Sequence, residues 1–301
     1  MNDLQNFKQR LEAAGISFSC EEPLASHTSF RIGGPAAVFC RPRNGEQLAA
    51  CVSLARELGE RYYLLGKGSN VLFRDRGFDG AVICTIGQQE EIRVEGQRIT
   101  APAGASLAQV CRAALDHELT GLEFAYGIPG SLGGAAYMNA GAYGGEMKDV
   151  IRSVTCLDGE GRVRTLPLEE LELGYRTSIF ERTGWCVLSV ELELEPGDPV
   201  QIRARMDDLM ERRRTKQPLE LPSAGSTFKR PVGAFAGELI QRSGLRGARV
   251  GDAAVSEKHC GFVVNLGHAS CQDVLELAQL VCDTVKEKTG FTLEKEIRVI
   301  E

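Results

Sequence analysis

The sequence predicts an α+β fold, and three observations carry that prediction. Short strands recur in pairs closed by glycine turns, as in Ile92–Val94 with Arg98–Ala101 and Val154–Leu157 with Val163–Leu166. Helical periodicity is interleaved with these hairpins but does not alternate strictly with single strands, as a doubly wound parallel sheet would require. Two glycine-rich runs, Gly66–Asn70 and Gly127–Gly134, lie in separate segments, and the first is no dinucleotide-binding turn, because no helical stretch follows it and the third glycine is missing.

The elements follow in order. Residues 3–14 place Leu4, Phe7 and Leu11 on one helical face. Residues 45–59 place Leu48, Val52 and Ala55 on another, and Gly59 ends that helix. Tyr62–Leu65 reads as a buried strand running into Gly66-Lys67-Gly68-Ser69-Asn70. Val71–Phe73 and Ala81–Thr85 read as strands around a turn at 77–80. Residues 106–119 are helical with Ser106 at the start, and 185–194 form a long strand. Pro196-Gly197-Asp198-Pro199 marks a boundary before a charged helix over 200–215, whose end, Arg212-Arg213-Arg214, reads as solvated. Helices over 234–243 and 271–289 and strands near 262–265 and 293–300 complete the chain.

Composition bounds the function. With 301 residues, 43% hydrophobic and 25% charged, the chain is globular, with about two domains or three small ones. A net charge of −6 gives no general attraction to nucleic acid or anionic membrane. The N-terminal MNDLQNFKQRLEAAG is charged throughout, unlike a signal peptide, so a cytoplasmic location is expected. The ten cysteines form no C-x-x-C pair and mostly sit in apolar stretches, which predicts reduced, buried thiols and no metal site.

Glycines let backbone N–H groups approach phosphate oxygens, and Ser69 and Asn70 add donors to the first run. The second run continues into Tyr137, Asn139 and Tyr143. It admits either a tight contact between chain segments or a large planar ligand. Two such runs suit a ligand with a pyrophosphate and extended ends. Elsewhere the local readings stay open. Arg176 sits in a polar loop, Ser226 in a turn-like Ser-Ala-Gly-Ser, and Glu294, Glu296 and Arg298 alternate as a solvated face would.

Taken together, the two runs resemble the FAD-binding domain of the vanillyl-alcohol oxidase (PCMH) type. Gly174-Tyr175-Arg176-Thr177-Ser178, the run from Ser223 to Pro231, Ala236–Ile240, Lys258–Asn265 and Leu293–Arg298 narrow the resemblance to the UDP-N-acetylenolpyruvoylglucosamine reductase family. The match runs in order from about Thr28 to Arg298. It implies FAD-binding subdomains at 1–84 and 85–198 and a substrate domain at 199–301, with a strand at 291–301 that can return to the first subdomain. It also implies reduction of UDP-N-acetylglucosamine enolpyruvate to UDP-N-acetylmuramate for peptidoglycan synthesis, and so for cell-wall biogenesis, cell shape and division. Hydride passes from NADPH through FAD to C3 of the enolpyruvyl group, and a proton goes to C2.

By this resemblance Arg176 holds the substrate carboxylate, Ser226 gives the proton and Glu296 steadies the enolate. FAD falls to Gly66, Lys67, Gly68, Ser69 and Asn70 and to Gly127, Ile128, Pro129, Gly130, Ser131, Gly133 and Gly134. Substrate contacts fall to Tyr175, Lys229, Arg230, His259, Tyr137 and Asn139. Some relatives attach FAD through a histidine or cysteine in the first loop. This loop has neither, so FAD is expected to be non-covalent. The short stretch between Arg176 and Ser226 matches the family's shorter (type II) form. A monomer or weak oligomer acting on a small molecule is expected, without nucleic-acid or membrane partners. The alternative is another oxidoreductase on the same flavin domain, such as a hydroxy-acid or sugar-alcohol oxidase.

Overall fold

The computed structural model describes residues 3–301; Met1 and Asn2 of the N-terminal reading lie outside the described residues. Helix α1 (Asp3–Ala13) buries Phe7 and Leu11. Strands β1 (Ser17–Pro23) and β2 (Pro35–Arg41) follow. Helix α2 (Gly45–Glu57) starts at Asn44, whose side chain accepts the Gln47 N–H and satisfies a first-turn donor. Then come β3 (Tyr62–Leu65), β4 (Val71–Phe73) and β5 (Phe78–Cys84). The turn expected at 77–80 lies earlier, at 74–77, where the Gly77 N–H donates to the Arg74 carbonyl at 2.9 Å and Gly77 is left-handed. Phe78 already belongs to the strand, its buried ring packing edge-on against Phe73 at 6.4 Å.

The hairpin of β6 (Arg93–Glu95) and β7 (Arg98–Pro102) precedes α3 (Leu107–Asp116), which opens on a capping box of Ser106 and Gln109. This helix ends before Leu119 because Glu118 turns left-handed, and β8 is Leu119–Thr120. Part of the second glycine run is helical: Ser131 caps α4 (Leu132–Tyr137). β9 (Gly141–Ala142) and β10 (Gly145–Glu146) are joined by left-handed Tyr143 and Gly144, the pattern of a two-residue hairpin turn. The chain continues through β11 (Ile151–Leu157), β12 (Val163–Pro167), α5 (Ile179–Thr183), β13 (Cys186–Glu193), β14 (Glu195–Pro196) and α6 (Pro199–Lys216). It closes with α7 (Ala236–Arg242), β15 (Arg249–Val250), β16 (Ala253–Val255), β17 (Val263–Asn265), α8 (Cys271–Thr289) and β18 (Arg298–Ile300). The strand expected over 293–300 is regular only in β18; residue 295 meets Phe228 through a single bridge.

The largest sheet is antiparallel in the order β12-β11-β13-β7-β6. A four-stranded sheet, β1-β2-β5-β3, contains the parallel pair β3–β5, and β18 runs parallel to β4. Hairpins and parallel pairs together make the α+β class. The chain forms two units. One takes residues up to 20, 38–67 and 80–213; the other takes 21–37, 68–79 and 214–301. The first has two apolar cores, one around Phe7, Leu48, Val52 and Ile83, the other around Ile99, Leu107, Phe180 and Val190. The second packs Phe30, Leu72, Ile240 and Val281 together.

All ten cysteines are free, eight of them buried, and burial pushes the Cys111 thiol up to about 12. Among the described residues no helix is long and apolar enough to cross a membrane, and no cluster of three or more His, Cys, Asp or Glu side chains could hold a metal ion.

Candidate active site

In the first unit, β3 delivers the chain to Gly66, where the two glycine runs meet. A Cβ on Gly66 would lie 2.4 Å from Ser131 Oγ, so any larger residue would push aside the hydroxyl that caps α4. Gly133 is more tightly constrained, since its Cβ would lie 2.7 Å from that of Ala103 and 3.1 Å from the Ala103 backbone. Gly133 is therefore required by chain packing, and Gly66 by the cap it leaves in place. Gly130 and Gly134 differ: a Cβ on Gly130 would meet side chains at ordinary contact distance, and Gly134 is exposed, with only Ser131 Oγ near. Lys67 is exposed at the same loop.

Gly68 belongs to the second unit and is left-handed; its Cβ would lie 2.2 Å from the His27 carbonyl oxygen. There Ser29 N–H donates to the Gly68 carbonyl at 3.0 Å, and Asn70 Nδ2 donates to the Glu296 carbonyl at 3.4 Å. The donor set fits FAD: a lysine, a serine hydroxyl and glycines open on one side. Neither run contains a cysteine or histidine for covalent attachment.

Arg176 occupies a tight turn in the first unit. Gly174 N–H donates to the Thr177 carbonyl at 3.1 Å, and Thr177 N–H returns to Gly174 at 3.4 Å. Arg176, at φ +57°, is left-handed, a conformation that costs a non-glycine residue about 1–2 kcal/mol. Its guanidinium lies 5.4 Å from the ring centroid of exposed Tyr175. Buried Ser178 fixes the far side of the turn, donating to the Tyr137 carbonyl at 2.7 Å and capping α5. Asn139, 2% exposed, lies against the near side and donates to the Gly174 carbonyl at 3.0 Å. The amide of Asn139 is thus engaged by protein groups, not open to a ligand.

Sequence reasoning missed Arg213. It is the half-buried member of a triplet expected to be solvated; a Cβ on Gly127 would lie 3.2 Å from its Cδ. Burial pushes its guanidinium pKa down, and its Nε is buried without a hydrogen-bond partner among the described residues. The signal was present as spacing: Ile202, Met206 and Leu209 form the buried stripe of α6, and Arg213 continues it.

In the second unit, Ser226 and Glu296 are brought into neighbouring register. Glu296 N–H donates to the Thr227 carbonyl at 2.8 Å, Phe228 bridges Lys295, and Lys229 N–H donates to the Glu294 carbonyl at 2.8 Å. Thr227 is buried and anchors this pairing, its hydroxyl accepting the Val263 N–H at 2.9 Å. Gly225, left-handed, turns the chain into Ser226. Glu296 is half-buried. Lys229 pairs with exposed Glu294 at 3.3 Å, and the Arg230 guanidinium lies 4.0 Å from the Phe235 ring centroid. His259 is held neutral by burial, its pKa pushed down; Nδ1 accepts the Gly261 N–H at 3.1 Å, which leaves the proton on Nε2.

The comparisons bear on both units. The family model "FAD binding domain" matches residues 35–167, and "UDP-N-acetylenolpyruvoylglucosamine reductase, C-terminal domain" matches 217–300. The UDP-N-acetylenolpyruvoylglucosamine reductase of Alkaliphilus oremlandii is 51% identical over 280 residues, 93% of this chain and 92% of the relative. The crystal structure of the corresponding reductase from Thermus caldophilus superposes with a TM-score of 0.79 at 35% identity, covering 95% of this chain and 99% of that one. A glucooligosaccharide oxidase from Acremonium strictum shares the fold at a TM-score of 0.50 and 16% identity, covering 96% of this chain and 59% of that one. A chain that carries both domains and half of a relative's residues over nearly its whole length belongs to the UDP-N-acetylenolpyruvoylglucosamine reductase family, and is a FAD-binding oxidoreductase that acts on a UDP-sugar.

Proposed function

We propose that this reductase uses NADPH to convert UDP-N-acetylglucosamine enolpyruvate to UDP-N-acetylmuramate in the cytoplasm, with Arg176, Ser226 and Glu296 as its catalytic residues. Residues 66–70 and 127–134 would hold FAD non-covalently, and FAD supplies the hydride that the reduction needs. Adding hydride to C3 of an enol ether leaves negative charge at C2, spread onto the carboxylate. Arg176 is a permanently charged fork suited to that carboxylate. Ser226 gives the proton to C2, and Glu296 steadies the enolate.

The observation that carries this reading is the backbone pairing of Thr227 with Glu296, which brings the segment of Ser226 alongside the one acidic side chain assigned to the enolate. The hydroxyl of serine is a weak acid, but beside a carbanion its transfer runs downhill, and a positioned donor is worth roughly 10²–10⁴-fold. Tyr175, Lys229, Arg230, His259 and Tyr137 are proposed to contact the substrate. Arg213, a desolvated cation beside Gly127, joins them as a contact for its diphosphate.

The three apolar cores support two FAD-binding subdomains and a substrate domain. Supply of the muramate nucleotide for peptidoglycan would tie the enzyme to cell shape and division. The purified protein should be yellow and should oxidise NADPH only when the enolpyruvyl nucleotide is present. A protein whose flavin turns over with oxygen and ignores the nucleotide would instead be an oxidase on the same fold.

A further inference from the structure

We infer that Asn139 is a positioning residue for Arg176, holding the turn that presents it; the inference rests on the reading of Arg176 as the cation for the substrate carboxylate. Asn139 is 2% exposed, and every polar atom of its side chain is engaged within the first unit. Nδ2 donates to Glu146 Oε2 at 2.6 Å and to the Gly174 carbonyl at 3.0 Å, while Oδ1 accepts the Lys148 N–H at 2.9 Å.

The partners fix which way the amide points. An ionised Glu146 can only accept and the Lys148 N–H can only donate, so one orientation satisfies both. Once it is adopted, the second N–H of Nδ2 has no freedom and meets Gly174. The Asn139–Glu146 bond has a charged acceptor, which makes it the stiffer of the two donated bonds. Glu146 is itself held by the β9–β10 hairpin and by an ion pair with Lys148 at 2.5 Å.

Gly174 is the first residue of the turn whose third residue is Arg176. A left-handed arginine persists only where its surroundings over-determine it. Two side-chain determinants outside the turn come from residues 137–148, where the Tyr137 carbonyl holds Ser178 and Asn139 holds Gly174; the base of the loop is closed by the Ile179 N–H donating to the Leu171 carbonyl at 2.8 Å. Asn139 is left-handed too, at φ +42°, a conformation that asparagine and aspartate tolerate better than other side-chain-bearing residues. Aspartate therefore keeps the backbone while removing both donors.

The test compares Asn139→Asp with the double variant Asn139→Asp/Glu146→Gln. In the double variant the new glutamine can donate to the new aspartate, so the 139–146 bond is rebuilt, but the donor to Gly174 is still missing. Thermal midpoint, FAD retention, NADPH reduction of the flavin, reoxidation by the enolpyruvyl nucleotide and nucleotide Kd are measured for both. We expect Asn139→Asp to lower the midpoint and to slow reoxidation roughly ten- to hundredfold. The double variant should regain the midpoint and reduce its flavin with NADPH normally, but keep slow reoxidation and a weakened nucleotide Kd.

Recovery of reoxidation together with the midpoint would make Asn139 a merely structural residue and overturn the inference. So would unchanged reoxidation in Asn139→Asp, or a double variant that cannot retain FAD. Arg176→Lys is measured alongside, because it keeps the charge and loses the fork. If that variant reoxidises normally, the reading of Arg176 itself fails. If it is slow while the position-139 variants are normal, only the positioning role fails.

Discussion

Arg176 pays a conformational cost that, among the described cations, it shares only with exposed Arg31, and of the two it is Arg176 that sits in a turn held by buried polar groups. Ser226 carries no such mark; its assignment rests on its neighbour Thr227 being locked to Glu296. The two kinds of evidence predict different failures. Ser226→Ala removes a hydroxyl from a segment whose anchors lie at Thr227 and Phe228, so the fold and FAD binding should persist. Flavin reduction by NADPH should remain fast while reoxidation by the enolpyruvyl nucleotide slows by at least roughly 10². Stopped-flow measurement of the two half-reactions checks this, and equal slowing of both would make Ser226 structural. At this scale the sequence identified residue types well and surroundings poorly. Asn139 was legible as a polar residue in a small-residue run, but its partners Glu146 and Gly174 are joined to it only by the folded chain.

Elements were legible where one periodicity dominated. α8 spans the residues its periodicity predicts, with its serine cap and glycine stop. α4 was hidden because two adjacent glycines each cost a helix roughly 1 kcal/mol relative to alanine, which favours a loop reading. It forms because Ser131 caps it and because Gly133 lets it pack on Ala103. Gly133→Ala should therefore overpack a buried contact and destabilise the protein by about 1–3 kcal/mol. The thermal midpoint should fall by roughly 2–4 °C per kcal/mol. Gly130→Ala, with room for its methyl group, should leave the midpoint nearly unchanged. Equal midpoints for the two variants would remove the packing account of α4. The triple arginine of α6 was misread for a related reason: composition suggested a solvated end, while the spacing from Ile202 to Arg213 placed one of the three on the buried face.

Across the whole molecule, the family and the α+β class were readable from ordered motifs, but the arrangement of the chain was not. Sequence reading divides a chain at linkers. Here the second unit borrows residues 21–37 and 68–79 from far upstream, and its core needs Phe30 and Leu72. Among the described residues β18 has β4 as its one partner strand, and Asp75 accepts the N–H groups that open α8. No local pattern in residues 214–301 announces these distant partners; only the family resemblance raised a return of the 291–301 strand to residues 1–84, where β4 lies. A fragment of residues 214–301 should consequently fail to fold alone, giving poorly dispersed amide resonances and no cooperative thermal transition. A well-dispersed, cooperatively melting fragment would show that the borrowed strands are dispensable.

The parallel pairing of β4 with β18 also has a consequence for synthesis. Val71 leaves the ribosome roughly 230 residues before Arg298, its partner in the register. At about 5–20 residues per second, that strand waits on the order of ten to fifty seconds for its neighbour. During that interval the nascent chain can complete the sheet of β6, β7, β11, β12 and β13, whose strands all lie before residue 194. The unit that carries Ser226 and Glu296 closes only when translation is essentially finished, so a prematurely terminated chain holds much of the FAD-binding domain while that second unit is still incomplete.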